Sequence, residues 1–164
     1  MGYLLFFLRL LLLSFLFALF LPVPSAADTE WHRPLERPLR VLRHFDPPDR
    51  PWLPGHRGVD LAAEPGQEVL APGPGRVRFS GTVAGIPVVS LSHGDLRTTY
   101  LPVAGPLARG EPVSAGQVIG TVASAPRHCP HRTCLHWGLI RDGGYLDPLS
   151  LLSPPPVRLL PRFP

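Results

Sequence analysis

Among the histidines and acids of this sequence, three side chains from two distant segments make a candidate set for holding a metal ion. GHRGVDLAAEPG carries His56 and Asp60, and CLHWGLI carries His136. Two imidazoles and one carboxylate, each about 2.0–2.2 Å from an ion, make a catalytic zinc set with a fourth position left for water. Such an ion lowers the pKa of its water toward about 7 and polarises a scissile carbonyl. The spacing imposes a condition. Gly55, Gly58 and the nearby prolines oppose a helix, and a straight strand would hold His56 and Asp60 about 13 Å apart. The chain must therefore bend near Gly58, with His56 in a loop and Asp60 entering a strand. In CLHWGLI a period of two sends Cys134 and His136 to one face and Leu135 to the other. On spacing alone, surface or capping roles fit the same three residues.

A third polar segment, SHGDLRTTYLPV, holds His93 and Tyr100. His93, Tyr100 and Trp137 are candidates to line a groove, although aromatic residues at strand positions also serve as plain core. Arg57 and Arg97 are candidates to meet carboxylates of a peptide. His128 and His131 share a loop; they are either exposed loop residues or weak candidates for proton carriers. His32 and His44 need no special role.

The elements that position these residues are short. VRFSGTVA from Val77, VVSLSH from Val88, LRTTYLPV from Leu96, QVIGTVA from Gln117 and CLHWGLIR from Cys134 each suit a strand. EPGQEV, APGPG, SHGD, ARGEPVSAG and RDGG between them supply turn chemistry. With 23 prolines and 16 glycines, no dozen-residue window keeps a helical apolar period. The predicted fold is mostly β, a compact antiparallel sandwich or partly open barrel. All 16 basic residues are arginine. GEPVSAGQVIG resembles the turn-and-strand unit of lipoyl- and biotinyl-carrier domains, which attach their cofactor to lysine; without a lysine, that function is excluded.

The ends divide the 164 residues further. Leu4 to Leu21 is apolar except for Arg9 and Ser14, and VPSAAD follows with small residues at Ser25 and Ala27. This pattern predicts a secretory signal over residues 1–27; the alternative is an uncleaved anchor, since the run approaches spanning length. Either way the remainder is exported, secreted or held at the membrane or wall. Residues 28–51 form a proline-rich lead-in, 52–152 the folded unit, and 153–164 a proline-rich tail. Past residue 27 there are fifteen arginines against twelve acids, scattered rather than clustered. That balance is no nucleic-acid footprint, and it suits work beside an acidic polymer as well as a plain solvated surface.

Cys129 and Cys134 are the only cysteines, an even count that favours a disulfide in an exported chain. The alternatives are Cys134 as a fourth thiolate ligand, closing the site, or as a nucleophile beside His128 or His131.

GHRGVDLAA, EPGQEVLAPGPGRV, SHGDLRTTY, VSAGQVIG and CLHWGLI followed by YLDPLSLL occur in this order. Together they resemble the lysostaphin/LytM-type zinc metallopeptidases, which cut peptide cross-links in bacterial peptidoglycan. The resemblance spans about a hundred residues. It implies a β fold of the duplicated hybrid motif kind with a groove over the metal. It also implies zinc as cofactor, His56, Asp60 and His136 as ligands, and wall peptides as substrate. Two departures stand out. The family closes its site with histidine, any residue, histidine, and here the first of these is Cys134. A second non-ligand histidine, two residues after the tyrosine, is replaced by Pro102. In the family these two histidines assist the attacking water and stabilise charge, help typically worth about 10²–10⁴-fold. Two functions follow: a zinc endopeptidase of the wall, or an impaired relative that binds the wall or a partner hydrolase.

Overall fold

The computed structural model describes residues 31–153 except 37, 126, 127 and 131. The expected signal, most of the C-terminal tail and His131 lie outside the described residues. Eleven strands run in chain order: β1 Val41–Arg43, β2 Val59–Ala62, β3 Glu68–Leu70, β4 Gly75–Val83, β5 Ile86–His93 and β6 Leu96–Leu101. There follow β7 Val103–Ala104, β8 Pro112–Val113, β9 Val118–Val122, β10 Cys134–Arg141 and β11 Gly144–Leu146. A 3-10 turn, Pro148–Leu152, closes the described chain, and Asp147 caps it by accepting from the Leu149 amide.

The strands form two antiparallel sheets rather than a closed barrel. The larger has the order β1-β2-β10-β6-β5-β4-β8, with β11 also on β10; the smaller has the order β3-β9-β7. Turn chemistry sets the registers. His93 pairs with Leu96 around a two-residue turn whose Gly94 has φ +66°. Arg141 pairs with Gly144 around Asp142 and Gly143, at φ +49° and +82°. Two-residue hairpins need positive φ because only then does the turn match the twist of the strands, and Asp-Gly supplies it.

The core draws on both sheets. Val59, Leu61, Leu91, Tyr100, Leu135 and Trp137 come from the larger, Val69, Val103, Ile119 and Val122 from the smaller. Burial of Leu61, Leu91 and Leu135, all fully enclosed, stabilises the fold by about 1.5–3 kcal/mol each.

The lead-in does more than wrap the unit. Leu35 is buried in the core, and β1 pairs with β2 through Val41–Leu61 and Arg43–Asp60. The packed structure therefore begins N-terminal to Trp52. VLR is too short to show a period, and its pairing depends on an exposed edge of β2 that sequence does not display.

Candidate metal centre

Paired strands β2 and β10 place two of the ligand candidates on adjacent backbones. His136 on β10 stands directly opposite Asp60 on β2. His56 lies before β2, held by a bridge to Asp46 in which the amide of each donates to the carbonyl of the other. The chain bends between His56 and Asp60, so His56 Nε2 lies 3.0 Å from Asp60 Oδ1, not the 13 Å or so of an extended strand. His136 Nδ1 is 2.8 Å from the same oxygen and 3.2 Å from His56 Nε2. Gly58 permits this convergence. A Cβ there would run into the Trp137 carbonyl and stand 2.7 Å from His136 Nε2.

The donor chemistry fits a cation. His56 Nδ1–H donates to the His44 carbonyl at 2.7 Å, which leaves Nε2 as the ring's lone-pair nitrogen. That lone pair faces a carboxylate oxygen at 3.0 Å, a repulsive contact unless something positive lies between. A tetrahedral ion with bonds of about 2.0–2.1 Å spaces its donors roughly 3.3 Å apart, close to the separations found. Burial works against ionisation of Asp60, but the hydrogen-bonding contacts to His128 and His136 outweigh it. The carboxyl is held well below its usual range. Burial also lowers the pKa of His136, against the opposing pull of Asp60, and keeps the imidazole in its ligating, neutral form.

A fourth imidazole reaches the same oxygen. His128 Nε2 lies 3.2 Å from Asp60 Oδ1, and its ring centroid is 4.6 Å from that of His136. Cys129 and Cys134 form a disulfide, so Cys134 is neither thiolate ligand nor nucleophile. Sequence signals for His128 amounted only to its loop and its neighbour Cys129. The role of the His44 carbonyl left no signal at all, because any residue carries one.

The other candidates lie elsewhere. Tyr100 pairs with Trp137 while Leu101 pairs with His136; period two then turns the aromatic pair to the face opposite the metal candidates. Both aromatics are fully buried core and line no groove, correcting that expectation. Burial pushes the Tyr100 hydroxyl pKa far up. Tyr100 donates to Thr98 Oγ1, and Thr98 donates to His93 Nε2 at 2.9 Å. His93 Nδ1–H donates to the Pro74 carbonyl. His93 is thus a buried structural residue, not a groove residue.

The metal candidates lie between two clefts of about 570 Å³ each. The first reaches His136 and is lined by Arg57, Arg78, Arg97 and Arg109 with no acidic side chain. The second reaches Asp60 and His128 beside Arg40, Arg43 and Arg132.

The sequence model of peptidase family M23 matches residues 54–148. The chain belongs to this family. It is 48% identical over 141 residues to the uncharacterized protein Rv2891 of Mycobacterium tuberculosis, covering 83% of this chain and 57% of that one. The chain thus spans little more than half the length of that relative. Among solved structures it resembles Helicobacter pylori Csd3, with 29% identity and a TM-score of 0.65 over 80% of this chain and 37% of that one. It shares its fold with the antimicrobial peptidase lysostaphin from Staphylococcus simulans, at 23% identity and a TM-score of 0.63, covering 77% of this chain and 55% of that one. M23 peptidases are zinc-dependent, and the His/Asp group found here suits that metal. As an M23 domain it is divergent, with a disulfide sulfur at Cys134 and a buried Pro102 where the resemblance implies histidines.

Proposed function

We propose that this chain is an exported zinc protein of family M23 that acts on the peptide cross-links of bacterial peptidoglycan. The observation that carries this reading is the convergence of His56 Nε2, Asp60 Oδ1 and His136 Nδ1 within 3.2 Å of one another. When bound, zinc supplies Lewis acidity at a scissile carbonyl. The chain's own residues do the rest. His56 is aimed by the His44 carbonyl, Asp60 contributes the negative charge, and His136 is oriented by the β2–β10 ladder. The arginines of the first cleft suit the carboxylates of wall peptides. Export is supported by the N-terminal apolar run and by the disulfide, which belongs to oxidising compartments.

A second reading is a non-hydrolytic relative that binds wall peptide or a partner hydrolase. Pro102 and the disulfide-bonded Cys134 favour it, since neither can exchange a proton. Incubation with purified peptidoglycan separates the two. A peptidase releases new amine ends, and His136→Ala abolishes the release. A binding protein pellets with the wall while native protein and variant release equally little.

A further inference from the structure

We infer that His128 is a fourth side-chain donor of the metal centre, set in place by the Cys129–Cys134 disulfide, so that the chain caps its own metal. This rests on the metal-binding part of the proposed function and adds a regulatory state to the same site. The first support is distance. His128 Nε2 is 3.2 Å from Asp60 Oδ1, as close as His56 Nε2 is to His136 Nδ1. One donor atom from each of His56, Asp60, His128 and His136 lies within 4.8 Å of all the others.

The second support is connectivity. Cys134 opens β10 two residues before His136, and its backbone partner is Ala62, two residues beyond Asp60. The disulfide therefore ties residue 129 to the strand pair that carries two of the three ligands, and His128 is its immediate neighbour. Without that link, the loop entering β10 would have no covalent reason to stay over the site. The third support is exposure. The side chains of His56, Asp60 and His136 are 4, 5 and 12% exposed, against 29% for His128. His128 covers the solvent side of an otherwise buried triad. Four protein donors make the closed arrangement of a structural zinc site. Peptide hydrolysis by the disulfide-bonded protein is then held back until His128 withdraws.

The test uses the disulfide-bonded full chain, labelled with ¹⁵N-histidine and loaded with ¹¹³Cd, and counts imidazole nitrogens coupled to the metal. Three coupled nitrogens are expected: His56 Nε2, His136 Nδ1 and His128 Nε2. His128→Gln should leave two, raise the zinc dissociation constant at least about tenfold and increase any peptidoglycan cleavage. Cys129→Ser/Cys134→Ser should weaken or remove the His128 coupling while the other two persist. Two couplings in the native protein overturn the inference and leave the metal reading standing. A fall in cleavage with His128→Gln, alongside those two couplings, would make His128 a proton carrier instead. No coupling to any histidine overturns the metal reading itself.

Discussion

Asp60 and His136 are direct cross-strand partners, and their side chains meet at 2.8 Å between Oδ1 and Nδ1. Two residues 76 apart in sequence are thereby fixed by a backbone ladder rather than by a loop. Sheet hydrogen bonding holds side chains more rigidly than a loop does, which is what a metal site requires of its ligands. Within the triad, only His56 must be brought in separately, and the Asp46 bridge and the His44 carbonyl do that.

Removal of a ligand should release the metal. Native protein is expected to carry about one zinc per chain by elemental analysis. Outer-shell losses alone typically weaken metal binding about 10–100-fold, so His136→Ala and Asp60→Asn should each weaken it by ~100-fold or more in chelator competition. Unchanged zinc content in both variants would remove the triad from the binding site.

Gly58→Ala tests the close approach of β10 to the bend. The added methyl meets the Trp137 carbonyl and the His136 ring, and forced overpacking costs about 1–3 kcal/mol. Denaturant unfolding should show that loss, accompanied by weaker zinc binding because the His136 ring must shift. A variant as stable as the native protein would contradict the described packing.

Arg97 tests the first cleft. Its Nε is buried without a partner among the described residues, and its side chain lines the first cleft, where a ligand carboxylate can meet the rest of the guanidinium. A hydrogen bond to a charged group contributes about 1.5–3 kcal/mol, so Arg97→Ala should weaken binding of carboxylate-bearing wall peptides about tenfold or more. Calorimetry with the matching carboxamide peptide should give similarly weak binding to native protein. Equal affinity for acid and amide would assign the arginines to solvent.

Acid should destabilise the metal-free fold. Burial lowers the pKa of His93 from its ordinary 6.5, opposed by its bond to Pro74. The unfolded state therefore takes up the proton first. The stability from neutral His93 is present above pH 6.5 and is lost as the pH falls through the folded value. His136 shifts in the same direction, so His93→Gln should remove part of the slope in urea unfolding measured between neutral and acid pH. An unchanged slope would show that His93 takes no part in it.

Much of this protein is decided locally and was legible in its residues. Strand alternation, the Asp142–Gly143 and Gly94 turns and the bend at Gly58 follow from short-range chemistry, because φ preferences and side-chain period act within a few residues. The candidacy of His56, Asp60 and His136 rests on the resemblance of ordered motifs, since their spacing alone fits other roles. What needed the tertiary structure was parity and proximity. Tyr100 and Trp137 have the chemistry of groove residues, yet their register on β6 and β10 turns them into the core, and register is set by pairing across the sheet. The VLR strand, the His44 carbonyl and His128 entered the site's surroundings only because distant backbones meet there. A carbonyl has no sequence signature, and one histidine in a loop resembles any other until a disulfide and a neighbouring strand determine where it stands.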